Sequence, residues 1–331
     1  MNYRNRVRDS RVWLRVHSGA YRIMRFLTWV LLAICSVVNS AVAASVPKLP
    51  GYAVVPLKAG GFNRLALPTT LKGNPILFLL DTGAALSSID RESVKKWKLR
   101  PPARELGIAS QRMMNGRKAE VVWLPDLRSA EMNFGALPMT VLPVGNHFRD
   151  YQQGALHGLI GSDILTLYQA IVNCQTGHAY FKTDADVSID LAQVLEPVGY
   201  RRVPLIKRGG LYYIECKLKK FNFLLLVDTG APVTVLKKKT IDLFGIAAQK
   251  TEMRQRSLNG SPVHVYRVQS EDHQLSVAGL PIKLEVTATD DPLLNRQLKS
   301  DELGIFGCEL LLRHGAIIDY ATLTLYLRPP K

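Results

Sequence analysis

The chain has 331 residues, of which 47% are hydrophobic and 21% charged, and its formal net charge is +16. That length allows two ordinary domains or one large one with ample core, and the composition excludes a disordered chain. The basic balance comes with no Cys/His finger spacing and no basic helix interleaved with aromatics, so no nucleic-acid partner is expected. The charge reads as a solvated basic surface, the alternative being tolerance of anionic envelope surfaces or acidic partners.

Residues 1–43 read as a secretory signal peptide. Seven arginines between Arg4 and Arg25 stand against the single acid Asp9, the apolar run Phe26–Val38 follows, and Ala41-Val42-Ala43 supplies a small-residue cleavage site. The run is shorter than a comfortable membrane span. Cleavage after Ala43 is expected, with the remainder periplasmic or secreted; if the segment is retained it becomes an N-terminal membrane anchor. Met24 offers an alternative start. Loss of the seven arginines and Asp9 lowers the formal charge from +16 to +10.

Two stretches of the remainder repeat each other. "GLIGSDILTLYQAIVNCQTGHAYF" (158–181) aligns without a gap to "GIFGCELLLRHGAIIDYATLTLYL" (304–327), with Gly158/Gly304, Gly161/Gly307, Ala170/Ala316 and Tyr180/Tyr326 coinciding. "GYAVVPL" (51–57) matches "GYRRVPL" (199–205), and "LLDTGA" and "LVDTGA" stand 147 residues apart. The order of landmarks is the same in both halves, as in a tandem duplication. The reading is one unit over 44–181, an acidic linker over 182–198 and a second unit over 199–331.

Most elements within each unit read as strands. "ILFLL" (76–80) and "FLLLV" (223–227) are short apolar runs of the kind buried on both faces of a sheet. "VVWLPDL", "MTVLPV", "HVYRV" and "LEVTA" alternate or are β-branched. Asn115-Gly116 and Asn259-Gly260 are hairpin signals, because a tight type I′ turn needs positive φ twice. Short helices are predicted at 91–99 and 238–245, and after each of Gly161 and Gly307.

An Asp behind buried strand residues is costly unless it is hydrogen-bonded or has a task. One Asp-Thr-Gly is an ordinary turn. Two, at equal places in a duplicated unit, put Asp81 and Asp228 face to face across a pseudo-twofold axis. Two touching carboxyls share one proton and titrate as a pair. Such a pair is general base and general acid together: it activates a water, protonates a carbonyl and later protonates a leaving amine. That chemistry needs neither metal nor cofactor, and none is expected, since none of the seven histidines forms H-E-x-x-H and no C-x-x-C occurs. Once Cys35 has left with the signal, Cys174, Cys216 and Cys308 permit at most one disulfide, of unassigned pairing, or three free thiols. A catalytic role for Cys308 lacks a clear His partner.

Taken together, "LLDTGA", the Asn115-Gly116 hairpin and "LIGSD" (159–163), recurring as "LVDTGA", Asn259-Gly260 and "IFGCE" (305–309), resemble the retropepsin-like aspartic peptidases. The resemblance covers about residues 51–181 and 199–328. It implies an all-β fold of two tandem β-barrel units with short helices, a catalytic dyad of Asp81 and Asp228, and Thr82 and Thr229 cross-linking the loops. It also implies that Gly83 and Gly230 allow close approach. Ala84 and Ala231, with flap hairpins at Asn115, Gly116, Asn259 and Gly260, would meet a peptide substrate. The viral members carry an acidic residue just after this motif and an Arg after the later Gly; here Ala85-Leu86, Pro232-Val233, Ser162 and Cys308 stand there. A monomeric endopeptidase follows, with two alternatives: a peptide-binding or assembly module that does not cut, and dyads formed between like halves of two chains.

Overall fold

The two apolar runs before the Asp-Thr-Gly-Ala loops are strands Asn74–Leu80 and Phe221–Val227. In the computed structural model, described over residues 48–59, 63–103, 107–114, 117–142, 156–256 and 262–330, each is buried along its whole second half. Each is flanked on both sides. Leu65–Leu71 pairs antiparallel with Asn74–Leu80, and Gly158–Ile160 runs parallel on its other edge. Leu211–Leu218 and Glu302–Phe306 take the same places beside Phe221–Val227. A strand buried on both faces carries apolar side chains throughout, which explains the uninterrupted runs.

The same connection then follows in both halves. The chain leaves the buried strand, turns through the Asp loop and returns as a three-residue strand, Ser88–Asp90 or Val235–Lys237. Ser88–Asp90 lies antiparallel to Gly158–Ile160 and parallel to Met132–Leu142. Val235–Lys237 lies antiparallel to Glu302–Phe306 and parallel to Val286–Thr289. A six-residue helix comes next, Arg91–Lys96 or Lys238–Leu243. The first is capped by Asp90, whose carboxylate accepts from the Glu92 N–H at 3.0 Å, and it has Lys95 and Lys96 in its last turn. Helices this short are not stable alone; Ser93, Thr240 and Ile241 are buried against the sheets. Ser162–Leu167 and Cys308–Arg313 follow Gly161 and Gly307.

Among the described residues the strands form an eight-stranded sheet from the first half, a ten-stranded sheet from the second and a six-stranded sheet drawn from both. The fold is all-β with short helices. The six-stranded sheet was not expected. Its outer strands are Tyr52–Pro56 and Arg201–Pro204, and its centre is the pairing of Ile171–Asn173 with Ile317–Asp319, in register Val172↔Ile318. It makes one fabric of the two sequence halves. Leu49–Lys331 is a compact unit by itself, and one large core spans both sequence halves, from Phe78, Leu80 and Phe181 to Val227, Phe306 and Ile318. Lys182 still belongs to strand His178–Lys182, and the segment read as a linker carries the short helix Ala192–Leu195. No helix among the described residues is long and apolar enough to cross a membrane. The expected signal peptide, Asn115, Gly116, Asn259 and Gly260 lie outside the described residues.

Phe181 ties the shared sheet to the eight-stranded one. It is fully buried and packs edge-on against Phe134, ring centroids 4.8 Å apart, and Tyr168 at 6.4 Å. Phe181→Ala is expected to destabilise by about 3–5 kcal/mol, as a lower midpoint in urea unfolding. A shift below about 1 kcal/mol, the scale of a surface change, would mean the shared sheet does not unfold with the rest.

Candidate active site

Each buried strand ends by delivering an Asp. The Asp81 N–H donates to the Ile160 carbonyl at 2.9 Å, and the Asp228 N–H donates to that of Phe306 at 3.1 Å. The parallel neighbour strand thereby holds each loop at its root. The two loops then interlock through Thr82 and Thr229, both fully buried. The Thr82 hydroxyl donates to the Val227 carbonyl at 2.8 Å and accepts from the Thr229 N–H at 3.0 Å. The Thr229 hydroxyl donates to the Leu80 carbonyl at 2.6 Å and accepts from the Thr82 N–H at 3.1 Å. These four bonds satisfy two hydroxyls, two N–H groups and two carbonyls away from water, each of which would cost about 1–3 kcal/mol if orphaned.

The interlock leaves no room for side chains at Gly83 and Gly230. A Cβ on Gly83 would lie 2.3 Å from Cγ of Asp228, and one on Gly230 would lie 2.5 Å from Cγ of Asp81. Each glycine therefore lies against the carboxyl of the opposite loop. The Asp81 and Asp228 carboxyls are within hydrogen-bonding reach of one another. Both residues are partly open to solvent yet densely surrounded by protein.

The two carboxyls are not equivalent. Asp81 Oδ1 accepts one backbone N–H, from Gly83 at 3.0 Å. Asp228 Oδ1 accepts two, from Gly230 at 2.7 Å and Ala231 at 3.0 Å. Burial, then the charge and hydrogen bond of Asp228, hold Asp81 well above the ordinary carboxyl range. Burial also raises Asp228, but the N–H groups of Ala231 and Gly230 and a hydrogen bond from Asp81 oppose it. With one more backbone donor on Asp228, these surroundings favour the shared proton on the Asp81 side.

A second layer supports the loops. Ser162 N–H and Cys308 N–H donate to the carbonyls of Ala84 and Ala231, each at 2.8 Å, and Ser162 Oγ donates to the Thr82 carbonyl at 3.0 Å. Asp163 Oδ1 accepts from the Ser87 N–H at 2.9 Å, and Glu309 Oε1 accepts from the Thr234 N–H at 2.5 Å. Ser87 Oγ and Thr234 Oγ1 in turn accept from the N–H groups of Gly161 and Gly307. The acid after each later glycine thus anchors the chain leaving the Asp loop. Glu309 spans one more methylene than Asp163, and its Oε2 is buried without a partner among the described residues; burial raises this carboxyl.

Arg64 was not foreseen. Its Nε donates to the Gly230 carbonyl at 3.0 Å, so an arginine ahead of the first Asp reaches the second Asp loop. Its charge favours ionisation of both carboxyls. The signal in the sequence was there: at the same distance ahead of Asp228 stands Leu211, so the two halves differ in charge at this position. Cys174, Cys216 and Cys308 are free and buried. Burial pushes the thiols of Cys174 and Cys216 up to about 12 and that of Cys308 higher still, which leaves no thiolate to act as nucleophile.

Residues 67–164 match the aspartyl protease family. The matched stretch contains Asp81, Thr82, Gly83 and Gly161 and stops before Asp228. No curated protein matches the chain.

The proton held by Asp81 has a consequence for stability. An unfolded Asp is ionised above its ordinary pKa while folded Asp81 keeps its proton, so the native state binds the extra proton and loses stability as pH rises through that window. Asp81→Asn removes this dependence. Measured between pH 4 and pH 7, its free energy of unfolding is expected to gain on that of the parent chain as pH rises above the ordinary carboxyl range, by at most about 1.4 kcal/mol per pH unit. A constant offset across that range would show that Asp81 does not hold the proton.

Proposed function

We propose that the chain is an exported aspartic endopeptidase whose two carboxyls come from two copies of one ancestral unit joined in a single chain. The observation that carries this reading is the mutual approach of Asp81 and Asp228 under the four-bond Thr82–Thr229 interlock. The family match over the first loop supports it, as do the repeated connection through Asp81 and Asp228 and the intact Asp-Thr-Gly-Ala in both.

In this reading a water sits between the carboxyls and the scissile carbonyl of an extended peptide. Asp228, ionised and steadied by two N–H groups, takes a proton from the water as its oxygen bonds to the carbonyl carbon. Asp81 gives its proton to the carbonyl oxygen, which yields a neutral tetrahedral diol. The proton on Asp228 then passes to the amide nitrogen, the C–N bond breaks, and a diol proton returns to Asp81. The products are a carboxylic acid and an amine, and the pair again holds one proton. The hairpin strands Gln111–Met114 with Arg117–Ser129, and Gln249–Arg256 with Pro262–Val268, are the elements that would cover the peptide and pair with its backbone. The active species in this reading is the monomer.

Asp81→Asn and Asp228→Asn are each expected to lower kcat by about 10²–10⁴-fold or more on a peptide library assayed from pH 3 to 7. Full activity in either single variant would end the shared-dyad reading. Peptide binding by the parent chain without cleavage at any of these pH values would favour a binding module.

Arg64 gives a sharper test. Its charge favours the ionised forms of both carboxyls, so Arg64→Met is expected to move both limbs of a bell-shaped kcat/KM profile to higher pH. Arg64→Lys should restore most of the shift. Loss of activity with an unmoved profile would make Arg64 a loop support and nothing more.

A further inference from the structure

The repeated elements can be compared position by position, and one surface tip differs in kind between them. Phe221 opens the strand that leads to Asp228, directly after the Lys219-Lys220 turn, and pairs with Leu218. Asn74 holds that place in the first half, opposite Leu71. Leu243 ends the helix Lys238–Leu243; Lys96 ends the helix Arg91–Lys96. The fold thus accepts polar residues at both places, yet the second half puts Phe221 there at 42% exposure and Leu243 at 80%. Both border Phe244: the Phe221 ring lies 4.7 Å from the Phe244 ring, and Leu243 precedes it in the chain. Neither apolar residue is needed to close the core.

Cations surround this tip. Lys219 Nζ reaches the Phe244 carbonyl at 3.3 Å, which fixes the hairpin turn against the helix end. Lys220 Nζ stands 5.5 Å from the centre of the Phe221 ring. Lys239 shares the helix face of Leu243, four residues earlier, and is exposed, as is Lys217 on the strand before the turn. The acid Asp242 is paired with Lys238. Two standing apolar side chains ringed by lysines form a small tip and not a broad plane. A stable protein interface buries about 800 Å² per partner, more than two side chains supply. A lipid headgroup layer asks less: apolar groups enter the acyl boundary while the nearby lysines are drawn to anionic headgroups.

We infer that the Phe221–Leu243 tip docks this protein on an anionic phospholipid surface. The inference is independent of the peptidase reading. The test uses the chain from Ala44, which keeps the compact unit Leu49–Lys331 intact and lacks the apolar run Phe26–Val38. Co-sedimentation is measured with vesicles of phosphatidylglycerol and phosphatidylcholine, and with phosphatidylcholine alone, at about 0.1 M salt. The parent chain should bind the anionic vesicles and leave the neutral ones. The double change Phe221→Asn with Leu243→Lys, which installs the first half's residues, should weaken binding at least about tenfold although it adds a positive charge. Lys219→Gln with Lys220→Gln should weaken it too and flatten its salt dependence. Equal binding by the parent and the Phe221→Asn/Leu243→Lys variant, with both showing the parent's unfolding temperature, would overturn the inference. So would absence of binding by the parent. Self-association that the variant abolishes, with no vesicle binding, would assign the tip to a contact between copies instead.

Discussion

Two carboxyls pressed together in a poorly solvated place repel one another once both ionise, and neither burial nor a hydrophobic core supplies the force to hold them there. The Thr82–Thr229 interlock supplies it. Each hydroxyl gives its proton to a carbonyl of the opposite strand and takes one from the opposite Thr N–H. The two loops are therefore each other's hydrogen-bond partners, and neither can move off without stranding buried polar groups. The rest of the architecture serves that clamp. Parallel strands root the loops at Asp81 and Asp228, Asp163 and Glu309 anchor the departing chain, and the six-stranded sheet fixes the two halves at their base.

On this near-symmetric frame the charges are unequal. Asp228 has two backbone donors where Asp81 has one. A cation of the first half, Arg64, reaches the second loop, and its counterpart at position 211 is Leu. These unequal surroundings favour the proton on the Asp81 side before any substrate arrives. For acid–base chemistry that matters, because a pair with an assigned proton has its base and its acid ready in fixed places, with no redistribution needed in the ground state.

How far the sequence disclosed this depended on the range of the interactions. The strands before Asp81 and Asp228 were legible because double burial leaves an unbroken apolar run. The close approach was legible in Gly83 and Gly230, since the glycines have a local reason to be there. The helices expected at 91–99 and 238–245 are present but shorter, Arg91–Lys96 and Lys238–Leu243. The six-stranded sheet was not. Its central strands, Ile171–Asn173 and Ile317–Asp319, are three residues each, too short for a period, and their partners lie far away in the chain. Arg64 was missed for a similar reason. An arginine near a strand reads as surface, and only the three-dimensional path shows its Nε at the Gly230 carbonyl. The roles of Asp163 and Glu309 were hidden too: each was visible as a landmark, but not as the acceptor that fastens Ser87 or Thr234.

A site made from two loops of one chain also escapes a constraint that a symmetric dimer cannot. When identical chains meet on a twofold axis, every residue on one side has its copy on the other. An arginine at the dyad would appear twice, and both carboxyls would see the same donors. Here position 64 is Arg and its counterpart 211 is Leu; position 163 is Asp and its counterpart 309 is Glu; Asn74 and Lys96 face Phe221 and Leu243. Such differences are available only where each half is written separately. Covalent linkage removes the association equilibrium as well, since the second loop is always present at the effective concentration set by the chain. The clamp needs both threonines to be near; the tether ensures that they are, and leaves the surrounding positions free to differ between the halves.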